Sequence, residues 1–170
     1  MRSPVSRRAQ AEQEPAADPN QRVLLVGSSG GHLTQLLALE PWWRERARAW
    51  VTFDTPDAVA ALAGEAPVWW AAHPTTRNVP NLLRNFVLAW RVTRRFRPTV
   101  VVSTGAAVAL PFFVAAKVTG ARTAFVEVYD RIETPTLTGR LCRPITDLML
   151  VQWPEQAELY NDSLVIGPLL

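Results

Sequence analysis

The first residues of this sequence that are suited to chemistry lie in the stretch GSSGGH, at residues 27–32. Glycines let the backbone turn sharply, and the amides that open a following helix favour an anion through the helix dipole. We therefore predict a loop that binds a phosphate or diphosphate. Its binding residues are Gly27, Ser28, Ser29, Gly30 and Gly31. His32 ends the loop and is the candidate general base, because an imidazole takes a proton from a hydroxyl near neutral pH.

The sequence leaves other interpretations of this loop open. It is not a P-loop, because no Gly-Lys-Ser/Thr follows, and its G-x-x-G-G-H spacing differs from the dinucleotide pattern G-x-G-x-x-G. Asp54 nevertheless follows a predicted strand, where a ribose-binding acid belongs. A tight turn needed only for packing is a further interpretation. His32 also has a structural alternative, since a lone histidine is more often structural than catalytic, and His73 is assigned no role.

Apolar runs and helical periodicity alternate along the chain after residue 21. Strands are predicted at residues 23–26, 49–53, 67–71, 99–103, 123–128 and 147–151, with 164–166 as a candidate seventh. Helices are predicted at residues 33–39, 55–63, 79–96, 110–119 and 138–144. Pro41 is expected to end the first helix, Thr55 to cap the second, and Gly64 and Gly120 to stop the helices before them.

This alternation predicts a single α/β domain over residues 22–170, with a parallel sheet and right-handed crossovers. Ligands of such sheets bind outside the carboxyl ends of the strands. Four segments follow predicted strands, and we expect them to share one rim of the sheet. They are residues 27–32, 103–105, 127–131 and 152–153.

Composition limits the class of protein. The chain has 170 residues, 48% of them hydrophobic and 19% charged, with a net charge of +3, which suits one globular domain. Residues 1–21 form a polar tail that lacks an apolar signal region and is predicted to be disordered. The longest apolar run, residues 105–116, is broken by Pro111. It is too short for a transmembrane helix, which needs ~20 apolar residues.

Cofactors and nucleic acid are not expected. Cys142 is the only cysteine, so no internal disulfide forms, and it makes no metal-ligand cluster with the two histidines. We therefore expect no metal and no cofactor. The positive charge suits phosphates, acidic lipids or nucleotides alike. No nucleic-acid motif accompanies it, so nucleic acid is not an expected partner.

Four blocks of the sequence, taken in order, resemble a known family. They are VGSSGGHLTQL, RPTVVVSTGAAVALPFFVAAKVTG, AFVEVYDRIETPTLTGRL and DLMLVQWPE. Together they are similar to the acceptor-binding, membrane-associated subunit of split UDP-sugar glycosyltransferases. The eukaryotic member of that family acts in dolichol-linked oligosaccharide synthesis, and bacterial relatives act in capsular and exopolysaccharide synthesis. The blocks also resemble the N-terminal half of the peptidoglycan glycosyltransferase that forms lipid II.

The resemblance implies a Rossmann-like parallel sheet, the N-terminal acceptor half of a GT-B glycosyltransferase. In such enzymes the active site lies in the cleft between two Rossmann-like domains, one for the UDP-sugar and one for the lipid-linked acceptor. This sequence matches the acceptor type and stops at VIGPLL, where single-chain relatives cross to their second domain. The resemblance thus implies a separate nucleotide-sugar-binding partner, without which the chain is expected to be inactive.

Site residues follow from the resemblance where the motifs match. Gly30, Gly31 and His32 match the acceptor loop that would hold the diphosphate. Thr104 and Gly105 match a second loop at a helix N-terminus. Single-chain relatives carry more glycine in this second loop, where Ala106 and Ala107 stand here.

Further matches lie after the fifth and sixth strands. Glu127 matches an acidic residue that would bind a sugar hydroxyl or orient His32; the alternative is a surface salt bridge with Arg131, which would otherwise face a phosphate. Thr136 stands where the family usually has a serine before Leu-Thr-Gly. Gln152 and Trp153 match a short motif assigned to the interdomain cleft, with simple packing of Trp153 as the alternative.

The predicted helix 79–96 is the candidate membrane contact. It carries an apolar stripe with basic residues beside it, a pattern typical of anionic membrane surfaces. The stripe residues are Leu82, Leu83, Phe86, Val87 and Trp90. The residues assigned to the membrane are Arg84, Phe86, Trp90, Arg91, Arg94 and Arg95. The alternative is an ordinary helix whose stripe packs on the sheet while its arginines face water.

The main hypothesis is the acceptor-binding and membrane-recruiting subunit of a two-chain glycosyltransferase. It would help to move N-acetylglucosamine or a related sugar from a UDP-sugar to a polyprenyl-diphosphate-linked saccharide, as a peripheral protein at the cytoplasmic face of the membrane. The alternatives are a non-catalytic membrane scaffold for a partner glycosyltransferase and a small dinucleotide-binding oxidoreductase.

Overall fold

A computed structural model describes residues 20–75 and 77–170. Most of the predicted tail, residues 1–21, therefore lies outside the described residues. The described strands are β1 (Arg22–Val26), β2 (Ala47–Phe53), β3 (Val68–Ala71), β4 (Val100–Ser103), β5 (Arg122–Val126), β6 (Leu148–Val151) and β7 (Ser163–Val165). They form one parallel sheet in the order β3-β2-β1-β4-β5-β6-β7. The predicted parallel α/β fold is confirmed, and so is the seventh strand.

Helices lie on both faces of this sheet. They are α1 (Gly31–Ala38), α2 (Glu40–Trp43), α3 (Pro56–Ala61), α4 (Val79–Phe96), α5 (Ala109–Thr119), α6 (Leu137–Cys142) and α7 (Pro154–Ala157), with a 3-10 turn (Arg143–Ile145) after α6. Val23 and Leu25 of β1 pack against α1, α2 and α3, whereas Leu24 and Val26 pack against α4, α5 and α6. Since side chains alternate between the two faces of a strand, a strand covered on both faces reads as a continuous apolar run.

Two predicted helix ends are wrong. Pro41 does not end the first helix, which stops at Ala38; instead it lies in the first turn of α2, which the sequence did not predict. Proline is tolerated there because the first amides of a helix have no intrahelical acceptor. Gly64 does not stop α3, whose C-cap is Leu62. Gly120 does close α5, in the left-handed conformation with φ of 82°.

Helix α4 buries a different face from the apolar stripe. Its buried residues are Asn81, Asn85, Ala89, Val92, Thr93 and Phe96. The Asn85 side chain bonds both the amide and the carbonyl of Ala72, at 2.8 and 2.9 Å, and the Asn81 amide donates to the Pro74 carbonyl at 2.9 Å. These contacts satisfy the backbone of the loop after β3, so the asparagines turn inward.

The stripe of α4 consequently faces outward. Leu83, Val87 and Trp90 are 60%, 52% and 41% exposed, respectively. Leu82 and Phe86 of the stripe are half-buried, so the interpretation that the stripe packs on the sheet is wrong for Leu83, Val87 and Trp90 only. Within the described residues no helix combines the length and apolarity needed to cross a bilayer.

The strand order reverses between β1 and β4. From β1 the chain proceeds to β2 and β3 on one side, and α4 then returns it to β4 on the other side of β1. Such a switch point opens a crevice at the carboxyl ends of the strands, where ligands of doubly wound sheets bind. The loops after β1 and β4, which carry His32 and Thr104, border this crevice.

Candidate functional site

His32 and Thr104 join the two loops at the switch point. Nδ1 of the His32 ring lies 2.8 Å from the carbonyl oxygen of Thr104, and the Thr104 hydroxyl donates to the His32 carbonyl at 2.9 Å. A carbonyl only accepts hydrogen bonds, so Nδ1 carries the proton in the neutral ring. Nε2 is then the unprotonated nitrogen, and no hydrogen bond occupies it in the described part of the chain. This is the tautomer that a general base requires.

Burial lowers the pKa of His32 below its ordinary value of 6.5. Desolvation is the largest cause, since a charged imidazolium loses its hydration in a partly buried position. The Thr104 carbonyl and the nearby carboxylates of Asp130 and Glu127 act in the opposite direction. The net effect keeps the ring neutral at pH 7.

The loop after β4 approaches the His32 ring closely. A Cβ placed on Gly105 would lie 3.1 Å from Cε1 of His32, and Gly105 has a φ of 114°. Only glycine meets both requirements comfortably. The next residue, Ala106, also has a positive φ of 61°. An alanine in this left-handed conformation costs roughly 1–2 kcal/mol.

The glycine loop after β1 is open to solvent. Gly30 and Gly31 are exposed, and a Cβ on either would meet no atom within 4 Å. The Gly30 amide donates to the Asp57 carboxylate at 3.2 Å. Asp57 belongs to the exposed first turn of α3. The Gly30 amide is therefore occupied by a carboxylate of the protein itself, and anion binding by this loop stays a prediction.

Glu127 is fully buried directly behind the rim. Its carboxylate accepts hydrogen bonds from the Val128 amide at 3.0 Å, the Thr136 amide at 3.3 Å and the Thr136 hydroxyl at 3.2 Å, as well as from the Tyr160 hydroxyl. A carboxylate leaves water at high cost unless such donors replace it. The alternative of a surface salt bridge with Arg131 is wrong: Glu127 is inaccessible, and the exposed Arg131 makes no ion pair with it.

Tyr160 and Gly139 complete the Glu127 cluster, and sequence reasoning missed both. Burial first, and then the hydrogen bond to Glu127 and its charge, raise the pKa of Tyr160, so its hydroxyl remains a donor. Gly139 lies where α6 passes closest to the carboxylate. Thr136 caps α6 by accepting from the Gly139 amide at 3.0 Å. Nothing in the local sequence marks Tyr160, because its contact depends on the fold bringing β5 and the segment after α7 together.

The side chains of Gln152 and Trp153 make hydrogen bonds to other segments of the rim. Gln152 is 1% exposed and bonds Gln35 of α1 and the Glu127 carbonyl, at 2.6 and 2.9 Å. The half-buried Trp153 donates its indole N–H to the Tyr129 carbonyl at 2.8 Å. The Gln152 side chain therefore does not reach a surface that could line an interdomain cleft. The assignment of Trp153 to such a cleft stays a prediction.

The predicted site residues fall into two places. The four segments expected to share a rim do so, joined by the His32–Thr104 pair and by Gln152. The six residues assigned to the membrane lie instead along α4, away from these loops. In residues 20–75 and 77–170, no group of three or more histidine, cysteine or acidic side chains is placed to hold a metal ion. The roles assigned to the site residues remain predictions.

Replacement of Gly139 by alanine tests how rigid the Glu127 cluster is. A Cβ at this position would lie 2.8 Å from Oε2 of Glu127 and 2.9 Å from the Thr136 hydroxyl oxygen. We expect Gly139→Ala to lower the free energy of unfolding by about 1–3 kcal/mol, the usual cost of overpacking, in urea denaturation. In the control Gly64→Ala, the Cβ meets no atom within 4 Å, and a change within about 0.5 kcal/mol is expected. Equal stability of the two variants would contradict a rigid cluster.

Comparison with solved structures places the fold. MurG from Acinetobacter baumannii superposes with a TM-score of 0.71 at 16% identity, covering 85% of this chain and 45% of MurG. A UDP-GlcNAc 2-epimerase from Methanocaldococcus jannaschii gives a TM-score of 0.66 at 13% identity, covering 86% of this chain and 45% of the epimerase. Both are GT-B proteins with Rossmann-like halves. The predicted fold class, one Rossmann-like half of a GT-B protein, is confirmed.

The proteins similar in sequence are N-acetylglucosamine transferases or their subunits. The human UDP-N-acetylglucosamine transferase subunit ALG14 is 24% identical over 178 residues, covering 87% of this chain and 82% of the human protein. The mouse subunit is 30% identical over 82 residues, which cover 45% of this chain and 38% of the mouse protein. The pyrophosphoryl-undecaprenol N-acetylglucosamine transferase of Moorella thermoacetica is 29% identical, covering 82% of this chain and 41% of that enzyme. The chain thus spans less than half the length of the bacterial enzyme.

The family model described as "Oligosaccharide biosynthesis protein Alg14 like" matches residues 72–169. This match takes in α4, the Thr104 loop, the Glu127 cluster and the Gln152 motif, and it covers more than half of the chain. The glycine loop precedes it, but the human and Moorella relatives extend over most of the chain. The chain therefore belongs to the Alg14-like family of oligosaccharide biosynthesis proteins.

Proposed function

We propose that this chain is the acceptor-binding subunit of a two-chain, inverting UDP-sugar glycosyltransferase. It acts with a nucleotide-sugar-binding partner to move N-acetylglucosamine or a related sugar to a polyprenyl-diphosphate-linked saccharide. The observation that carries this proposal is the free Nε2 of His32 beside an open glycine loop at the switch point. Family membership supports it, and the names of the relatives, which are N-acetylglucosamine transferases or their subunits, supply the substrate class.

The proposed chemistry assigns one task to each part of the rim. The Gly31 amide binds the acceptor diphosphate, and the Gly30 amide joins it by exchanging the Asp57 carboxylate for a phosphate oxygen. The acceptor hydroxyl attacks the anomeric carbon of the UDP-sugar and loses its proton to Nε2 of His32, while the bond to the UDP oxygen breaks and UDP leaves. Thr104 and Gly105 hold the ring in place. Arg131 lies exposed on the loop after β5, where its charge favours a phosphate.

Membrane contact through α4 is the second part of the proposal. The outward stripe of Leu83, Val87 and Trp90 is flanked by arginines, and α4 contains no acidic residue. The guanidinium of Arg94 lies over the Trp90 ring, 5.3 Å from its centroid. An exposed apolar stripe with arginines and an aromatic ring beside it suits the interface of an anionic bilayer. This arrangement favours peripheral attachment at the cytoplasmic leaflet, where a polyprenyl-linked acceptor is accessible.

The proposal is tested by sugar transfer from labelled UDP-sugars to polyprenyl-linked acceptors in membranes. We expect transfer when this chain is co-expressed with its partner, and none with either chain alone. In the complex, His32→Ala should retain partner binding but reduce transfer by ~100-fold or more, the usual scale for losing a general base. His73→Ala is the matched control, because His73 is exposed and, among the described residues, its ring lies beside Phe53, with ring centroids 5.2 Å apart.

The outcomes of this assay separate the hypotheses. Transfer by the partner alone would reduce this chain to a scaffold. Normal transfer by the His32→Ala complex would remove His32 from the mechanism. Dinucleotide binding by the isolated chain, measured by calorimetry, would instead support an oxidoreductase.

The pH dependence of transfer follows from the lowered pKa of His32. Its neutral form, the active base, persists on acidification past the ordinary value of 6.5. We expect kcat/KM to fall only below pH 6.5. The pKa of this fall should match the pKa that NMR gives for His32 from the chemical shift of its Cε1 proton. An acid limb at or above pH 6.5 would contradict this assignment. The same shift makes unfolding easier as pH falls between the ordinary and the lowered pKa, because the unfolded chain binds the proton first.

Binding to vesicles tests the α4 surface. We expect the pair Leu83→Ser and Val87→Ser to weaken binding to phosphatidylglycerol-containing vesicles by about tenfold or more, since burying one such side chain is worth about 1.5–3 kcal/mol. Val59→Ser is the control: Val59 is 46% exposed but belongs to α3, on the opposite face of the sheet. Equal binding by both variants in sedimentation would show that α4 does not contact the membrane.

A further inference from the structure

We propose that Gln152 is a positioning residue that connects the C-terminal segment, residues 167–170, to the glycine loop. Its side chain makes three hydrogen bonds to three separate parts of the rim. Oε1 accepts from the Leu169 amide at 2.9 Å, and Nε2 donates to Oε1 of Gln35 at 2.6 Å and to the Glu127 carbonyl at 2.9 Å. Gln152 is 1% exposed, so its side-chain amide depends on these three bonds rather than on water.

Backbone groups fix the direction of these bonds. The Leu169 amide can only donate and the Glu127 carbonyl can only accept, so the orientation of the Gln152 amide is determined. Oε1 of Gln35 must then be the acceptor, which leaves Nε2 of Gln35 facing the Gly31 carbonyl at 3.4 Å. The result is a chain of donors running from Leu169 through Gln152 and Gln35 to Gly31. Successive bonds of one direction polarise and strengthen one another.

This chain of hydrogen bonds ends beside His32. Gly31 opens α1 and immediately precedes His32, and Gln35 lies one turn after Gly31 on the buried side of α1. At the other end, Leu169 packs partly buried against the core on the α1 side. Displacement of the C-terminal segment therefore leaves the buried Oε1 of Gln152 without its donor, while Nε2 keeps its bonds to Gln35 and the Glu127 carbonyl. The Gln152 side chain, and Gln35 through it, is then held less firmly. Only the catalytic consequence rests on the proposed function; the coupling itself is a property of this chain.

Gln156 provides a matched control for Gln152. It is equally buried, and its amide group also bridges backbone groups: Oε1 accepts from the Gln152 amide at 2.8 Å, and Nε2 donates to the Val128 carbonyl at 2.7 Å and the Arg131 carbonyl at 3.1 Å. None of these bonds reaches α1. Loss of either glutamine removes similar buried bonds, but only loss of Gln152 disconnects the C-terminal segment from the glycine loop.

Hydrogen–deuterium exchange of the full chain, read by mass spectrometry, tests the coupling without any activity assay. In Gln152→Leu we expect the amides of residues 34–36, the first that donate within α1, to exchange faster, by about tenfold, the scale of one lost buried hydrogen bond. In Gln156→Leu the same amides should exchange as in the wild type. Unchanged exchange in Gln152→Leu, or equal acceleration in both variants, would overturn the proposal.

A second variant keeps the test decisive if Gln152→Leu does not fold. Leu169→Pro leaves the buried glutamines intact and removes the donating amide at the far end of the chain together with the Leu169 side chain; Leu169→Ala, which keeps the amide, is its control. Leu169→Pro should accelerate exchange at residues 34–36 more than Leu169→Ala does, and equal exchange in the two variants would overturn the coupling. In the complex with its partner, Leu169→Pro should raise the KM for the acceptor more than it lowers kcat. Absence of transfer in the wild-type complex would count against the proposed function alone, since the exchange result does not depend on it.

Discussion

The site depends on the reciprocal hydrogen bonds between His32 and Thr104. Beyond the pairing of Val26 with Ser103, the chain leaves β1 and β4 in different directions and the ladder that held the two strands together ends. The ring-to-carbonyl bond and the hydroxyl-to-carbonyl bond take over at this point. These two bonds hold the loops together at the base of the crevice. The bond from Nδ1 also sets the tautomer of His32. Because both acceptors are backbone carbonyls, the arrangement follows from the course of the chain.

Most polar residues of the rim hold loops in place. Thr104, Glu127 and Gln152 are all buried, and each has its hydrogen-bonding groups occupied by backbone or by another buried side chain. Buried polar groups with complete partners rigidify a structure, whereas any missing partner is costly. In the described part of the rim, the groups without a hydrogen bond include Nε2 of His32 and the guanidinium of Arg131, whereas the Gly30 amide is bonded to Asp57. On the proposed function, this division gives a rigid frame with a small ligand-binding surface.

The sequence predicted the sheet well because its central strands are buried on both faces and read as continuous apolar runs. It predicted the rim because strand ends of a parallel sheet must coincide. It did not settle which face of α4 is buried, because the exposed stripe is more apolar than the face that packs on the sheet. On the buried face, Asn81 and Asn85 make hydrogen bonds to backbone groups of the loop after β3. Tyr160, Gln35 and Gln156 were missed because their partners are distant in sequence. Contacts of this kind leave no local pattern, so only the folded chain shows them.

The direction of α4 connects the membrane surface to the site. A helix that follows a parallel strand begins at the rim and runs back towards the amino ends of the strands, over about 27 Å for 18 residues. Val79 and Leu83, both more than half exposed, therefore lie at the rim end, and Arg94 and Arg95 at the other end. On the proposed function, a bilayer that contacts the apolar part of α4 lies at the edge of the sheet that also carries His32, although α4 and α1 cover opposite faces. The polyprenyl chain of an acceptor then stays in the lipid while its diphosphate and sugar reach the rim.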